Sequence, residues 1–352
     1  MKPIRRLLWA AASALFLAST GATAQAEPYD TGWALYFDND LLAPRRTDRD
    51  YTGGFSLTLA GRRAREAWWS IDAGRAGLER ILGLERLHAD RAFSRHSMES
   101  GATVFTPGDL SAATPQPGER PYASLIYLAN TGVNVVPGRD TAYVSTFTLG
   151  VLGAPIVGDL QRALHRATGS AEPLGWDNQI SNGGEPTLRF AFARVRRAWQ
   201  GALAGIPGEL TTTWRGSVGY LTEASFSVAT RFGDIRTPWW SYNPQIADYA
   251  EKSVPVVASE GGGGERYVWG GFTVRARAYN AFLQGQFRDS AVTFSADELN
   301  PVTLEAWIGY THALESGWRL SYVLRGHSSE IRDGPADRQE VWGGIIVSHA
   351  LD

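Results

Sequence analysis

"WRLSYVLRG", residues 318 to 326, alternates without a break. Trp318, Leu320, Tyr322 and Leu324 fall on one side, and Arg319, Ser321, Val323 and Arg325 fall on the other. Side chains of a β-strand point to opposite faces in turn, so this segment reads as a strand with one apolar and one cationic face. "TVRARAYNAFLQGQF", residues 273 to 287, repeats the pattern: Val274, Ala276 and Ala278 oppose Thr273, Arg275 and Arg277. It continues with Ala281, Leu283 and Phe287 opposite Asn280, Gln284 and Gln286. A membrane barrel turns the apolar face to lipid and the arginines to a polar lumen, whereas a soluble sandwich does the reverse. Alternation alone fits both.

Working outward, strand-like segments recur at 31–38, 52–61, 102–106, 122–133, 141–152, 186–196, 210–219, 223–231, 266–278, 279–289, 302–312, 317–327 and 339–348. Most approach the ~9 to 11 residues that carry a tilted strand across a bilayer. The expected fold is therefore all-β with about twelve strands, a transmembrane antiparallel barrel or a soluble protein of an exported compartment. Gly/Pro-rich stretches at 107–121 and 232–264 read as outward-facing barrel loops. One segment breaks the pattern: "APIVGDLQRALHRATG" has Pro155 at its start, an apolar stripe of Leu160, Leu164 and Ala167, and Gly169 as a stop. It reads as a short helix near 156–168, with Gln161 and His165 sharing a face.

The N-terminus, "MKPIRRLLWAAASALFLASTGATAQA", has basic residues, an apolar core and small residues at Ala24 and Ala26. That is the layout of a signal peptide over 1–26, with 27–352 as one exported domain. No later apolar run approaches the ~20 residues of a spanning helix. Cysteine is absent, so disulfides take no part in the fold. A net charge of −2 offers nothing to nucleic acid. Lysine occurs only at 2 and 252, and 39 glycines with 13 Trp and 13 Tyr suit a barrel with aromatic girdles.

Chemistry-bearing residues gather in few places. "YFDNDLLAPRRTDRDYTGGFSLTLAG", residues 36 to 61, sets Asn39, Asp40 and Thr52 at the facing ends of two strands. Such oxygens suit calcium, and equally an ordinary Asn/Asp-rich turn. Of six histidines, His165 stands on the short helix and the others are scattered without metal-type spacing. A GxSxG nucleophile elbow is missing. "RGHSSE", residues 325 to 330, sets His327 beside Ser328, but neighbours on a strand point to opposite faces.

"NDLLAPRRTDRDYTGGFSLTLAG", "FTPGDLSAATPQPGERPYASLIYLANTG" and "LGVLGAPIVGDLQRALHRATGSAEPLGWDNQISN", in this order, resemble three signature blocks of the outer-membrane lipid A 3′-O-deacylase (LpxR) family. The resemblance implies a twelve-stranded outer-membrane barrel and a Ca²⁺-dependent hydrolase that removes the 3′ acyloxyacyl group from lipid A. It carries the family's Asn-Asp pair onto Asn39 and Asp40, its Tyr-Thr-x-Gly onto Tyr51 to Gly54, and its Gln-x-x-x-His onto Gln161 and His165. His165 would be the general base, since imidazole titrates near neutrality. Asp40 and Glu172 would hold Ca²⁺, and Asn39, Thr52 and Gln161 would orient water, base or carbonyl. Two positions depart from the family pattern. The expected loop lysine is absent, leaving Arg120 as the nearest cation, to bind a lipid A phosphate or to sit in ion pairs. Ala171 stands where an acid is expected, with Glu172 beside it. A phospholipid esterase on the same barrel and a non-catalytic barrel or porin are the alternative functions.

Overall fold

The computed structural model describes residues 26–44, 49–252 and 256–351. The signal peptide expected over 1–26 lies outside them except for Ala26. Twelve strands form one closed antiparallel barrel in which each pairs with its sequence neighbours and β1 closes on β12. They are β1 (Gly32–Asn39), β2 (Asp50–Ala60), β3 (Phe93–Thr106), β4 (Ala123–Val136), β5 (Thr141–Leu152), β6 (Glu185–Leu203), β7 (Ile206–Gly219), β8 (Leu221–Asp234), β9 (Glu265–Asn280), β10 (Val302–Ala313), β11 (Trp318–His327) and β12 (Glu340–Ala350).

The open question of the alternating strands is answered by burial. Trp318, Leu320 and Tyr322 are exposed on the outside, whereas Arg325 and Arg275 are buried and each pairs with Glu305 at 2.6 Å. The charges face the lumen and the apolar side chains face out, as lipid requires. An even strand number brings the start of β1 and the end of β12 to one rim. The ends of β1, β3 and β5 lie at the other.

Three expectations are corrected. Residues 279–289 do not continue as a strand. The Asn280 side chain accepts from the Phe282 N–H and caps a helical turn, α4 (Ala281–Gln284), whose first three residues are all buried, which no alternating strand allows. The described residues of 232–264 do not form an outward loop: beyond the end of β8 at Asp234 they fold back into the lumen as a plug. Its Glu251 accepts hydrogen bonds from Thr148, Arg189, Arg215 and Tyr220, and its Tyr249 donates to Glu330 at 3.0 Å. Buried carboxylates and guanidiniums need such mutual pairing. Finally, β3 begins at Phe93, nine residues before the segment read from sequence.

The connection between β2 and β3 holds α1 (Arg63–Glu66) and α2 (Asp72–Ile81). Since Thr148 faces the plug, Ser145 and Phe147 face outward. There α2 covers them: Arg75 donates to the Ser145 hydroxyl at 2.7 Å, and a Cβ on Gly74 would come within 2.9 Å of the Phe147 ring. At the opposite rim α3 (Pro155–Thr168) follows directly from β5.

Candidate active site

α3 starts with Pro155 in its first turn and ends at Gly169, whose φ of 71° suits glycine in the left-handed region and whose N–H reaches the His165 carbonyl. Its buried face carries Val157, Gly158, Gln161 and His165. Gly158 allows close approach, because a Cβ there would meet the Trp176 ring at 2.7 Å. Trp176 packs with Val157, Tyr122, Leu110 and Val104, which ties the helix to β3. The Trp176 indole N–H donates to Gln161 Oε1 at 2.7 Å. With its oxygen so held, the Gln161 Nε2 is buried and has no hydrogen-bond partner among the described residues. A buried amide donor left in this state is costly in a merely structural role.

His165 is buried, and its Nδ1 lies 2.6 Å from the Ala171 carbonyl. A carbonyl only accepts, so Nδ1 carries the proton and Nε2 is the basic nitrogen of the neutral ring. The position where the resemblance expects an acid thus contributes its backbone oxygen, as Ala171, to orient the imidazole.

The wall beneath α3 is built by alternation. Asp38, Tyr51 and Phe105 face the lumen, so Asn39, Thr52 and Thr106 face outward at the rim that α3 occupies. Thr52 is the extra residue of a β-bulge between Tyr51 and Gly53, a device that re-aims a side chain. Its hydroxyl lies 2.6 Å from that of Thr106. Asn39 donates from Nδ2 to the Thr52 carbonyl at 3.0 Å and accepts the Leu41 N–H at 2.8 Å, which locks the strand ends together. Asp40 is buried and accepts the Arg49 N–H through Oδ2 at 2.9 Å. The structure therefore brings Asn39, Asp40 and Thr52 together at one strand junction, and Gln161 and His165 together on the helix linked to it.

Arg120 stands apart. It is fully buried and pairs with Glu330 at 2.5 Å, with Glu340, and with Asp50 at 3.7 Å, so it takes the second of its two expected places, in ion pairs. Burial alone would raise the Glu330 pKa, but Arg120 and Arg277 outweigh it and bring it down to about 2. Asp50, at a φ of 67°, is further gripped by Arg338 at 2.7 and 2.8 Å. Glu172 is half-exposed and pairs with Arg166 at 3.3 Å.

Calcium takes six to eight oxygens, several of them carboxylate. Among the described residues no three Asp, Glu or His side chains are grouped so that they would hold a metal ion, and Glu172 is engaged by Arg166. The described carboxylates and imidazoles thus form no three-ligand group of their own, and Ca²⁺ here would need backbone carbonyls, amide oxygens or water beside Asp40.

Three residues of this assembly escaped the sequence reading. Thr106 and Trp176 carry no signal beyond their place in the quoted blocks. Lys252, the plug's lysine, contacts Asp38 and donates to the Tyr51 hydroxyl at 3.2 Å, on the lumenal side of Asn39 and Thr52. Its rarity, as one of only two lysines in the sequence, was the available clue.

Residues 8–351 match the family described as outer membrane protein LpxR. The chain belongs to this family. Membership supports a general outer-membrane hydrolase function, in an outer-membrane barrel. LpxR from Salmonella typhimurium has a similar structure, with a TM-score of 0.69 at 15% identity over 91% of this chain and 100% of that one, which shows a shared fold. An outer-membrane channel from Pseudomonas putida (TM-score 0.41, 10% identity, 94% and 98% covered) and the NalP translocator domain from Neisseria meningitidis (TM-score 0.39, 8% identity, 98% and 97% covered) are more weakly similar. No curated protein matches the sequence.

Proposed function

We propose that this LpxR-family protein hydrolyses the ester that links the 3′ acyloxyacyl group to lipid A, with His165 as general base. One observation carries the reading: an imidazole with a fixed tautomer and a buried, unpaired amide donor share the buried face of α3, which Trp176 and Val157 tie to β3, the strand paired with β2, which bears Thr52.

Ester hydrolysis needs a proton acceptor for the attacking water and donors for the oxyanion. In this reading water attacks the carbonyl carbon as Nε2 of His165 takes its proton, and the Nε2–H of Gln161 donates to the developing oxyanion. When the tetrahedral intermediate collapses, the C–O bond to the sugar breaks and the imidazolium returns its proton to the leaving alkoxide. The products are the free acyloxyacyl acid and the 3′-hydroxyl. Asn39 and the Thr52–Thr106 pair keep the wall rigid behind this chemistry. The resemblance brings Ca²⁺ as an expectation; among the described residues no three acidic or imidazole side chains are grouped for it, and each step is assigned to protein groups.

The alternative of a porin suits the lumen poorly, since the plug is bonded to strands on several sides of it. A phospholipid esterase would use the same chemistry on another acyl donor.

The test is mass spectrometry of lipid A from cells expressing the protein, beside His165→Ala at equal membrane abundance. Loss of one acyloxyacyl mass with the natural chain, reduced by about a thousandfold in rate in the variant, is expected for removal of a general base. Full deacylation by a folded His165→Ala protein would overturn the assignment.

A further inference from the structure

α3 has three faces. At about 100° per residue, Val157, Gly158, Gln161 and His165 occupy one sector and are buried, with Trp176 packed against it. Asp159, Arg162 and Arg166 fall in a second sector. Its charges are internally paired, Asp159 with Arg162 at 2.6 Å and Arg166 with Glu172 at 3.3 Å. Ile156, Leu160 and Leu164 form the third, and they are 57%, 65% and 59% exposed.

Exposed leucines on a helix surface need an apolar partner. Here the neighbouring wall names it. The helix leaves β5 just after Leu149 and Val151, which are exposed on the barrel's outer face, and Ile126 on β4 and Leu188 on β6 are exposed beside them. The apolar sector of α3 continues the surface that this outer-membrane barrel turns to lipid. A helix with a charged flank and an apolar flank lies in the plane where headgroups meet acyl chains.

We propose that α3 is an interfacial helix whose Ile156, Leu160 and Leu164 sit among the acyl chains of the leaflet at its rim, so that Gln161 and His165 are held at the depth of acyl-ester linkages. The first half stands on the fold; the second rests on the ester-hydrolase reading. Acyl esters lie at the boundary of hydrocarbon and headgroup, and the buried sector of α3 falls at that level because its two other sectors flank it from below and above. The helix is then a gauge of depth: an ester that lies deeper or shallower in the leaflet misses the base.

The chain has no cysteine, so single nitroxide labels can be placed at Leu160→Cys, Leu164→Cys, Arg162→Cys and, as a wall reference, Leu188→Cys in the full protein reconstituted in phosphatidylcholine vesicles. Collision with oxygen should exceed collision with a water-soluble nickel chelate at 160 and 164, matching 188, and the order should reverse at 162. Labels at 160 and 164 that are as open to nickel as 162 would overturn the placement. For the second half, Leu160→Asp/Leu164→Asp should lower the ratio of ester hydrolysis in vesicles to hydrolysis in detergent micelles by about tenfold, as small misplacements of a reacting centre do. An unchanged ratio overturns it. Lipid-like labels in a protein that cleaves no acyl ester would uphold the placement and reject the hydrolase reading.

Discussion

Two of the helices on the outside of this barrel, α2 and α3, have undersides that differ in kind. Beneath α2, near the rim of the termini, Arg75 is paired with Asp72 at 2.6 Å, Glu79 at 3.0 Å and Ser145 at 2.7 Å. Its guanidinium joins the helix to the wall and to the helix's own acids. Beneath α3, at the other rim, Trp176 fixes the Gln161 oxygen while its nitrogen is left with a proton and no acceptor. Both sites are buried and polar. The first is closed around charge pairs, with Glu79 also facing His88 at 3.5 Å, whereas the second retains an amide donor aimed at no protein acceptor among the described residues, and burial of an unused donor is tolerated where a substrate supplies the acceptor.

The contrast breaks first at Gln161. Replacing it by alanine should lower turnover of the ester by about a hundredfold, the effect of removing one oxyanion donor, while the barrel keeps its heat-modifiable migration on a gel. Rate loss confined to KM, or collapse of the barrel, would place Gln161 with Arg75 as a structural residue. Next, Arg75→Met should reduce unfolding stability in urea by about 3 to 5 kcal/mol, because Asp72 and Glu79 are left buried without their partner. Hydrolysis per folded molecule should be unchanged. A variant as stable as the parent would show that the polar underside of α2 contributes little.

A smaller effect sharpens the picture from the lumen. Glu330, in the connection between β11 and β12, has its pKa held at about 2 against an ordinary 4.5. A carboxylate depressed on folding contributes stability that is present above the unfolded pKa and is lost as pH falls from 4.5 through 2. The midpoint of thermal unfolding should therefore fall across that window, and Glu330→Gln should flatten the fall while starting from a lower stability. A variant with the parent's acid profile would assign the loss to other groups.

How much of this was legible depends on what covers each strand. β10 and β11 face lipid on one side and the lumen on the other, and their alternation reads directly from Trp318 to Arg325. The first half of β3 has no such contrast. Outside it, Met98 is buried at the face where α1 packs, and inside it Glu99 meets Tyr127 and the plug at Lys252. With both faces covered, "SRHSMES" carries no strand period, and the segment begins too late in a sequence reading. The plug was misread for a related reason: "EGGGGE" and its prolines signal a loop, but the partners that draw it inward, Arg189 on β6 and Glu330 beyond β11, are distant in sequence.

The candidate site divides in the same way. Asn39, Asp40, Thr52, Gln161 and His165 are named by local blocks of sequence, while their neighbours include Thr106 and Gly343 from distant strands. The orientation of each is supplied from elsewhere: the His165 tautomer by a backbone oxygen, the Gln161 amide by Trp176, and the Thr52 hydroxyl by a bulge. None of these is a residue-type signal.

Asn39 pairs not only with Gly53 on β2 but with Gly343 on β12, across the junction where the chain's first and last strands meet. Lys252 reaches Asp38 on the same first strand, and Tyr249 reaches Glu330 just before the last. Ring closure, plug docking and completion of the wall below α3 therefore share residues. A barrel with an open seam presents neither the finished wall nor its lumenal brace, so the proposed chemistry depends on a closed ring.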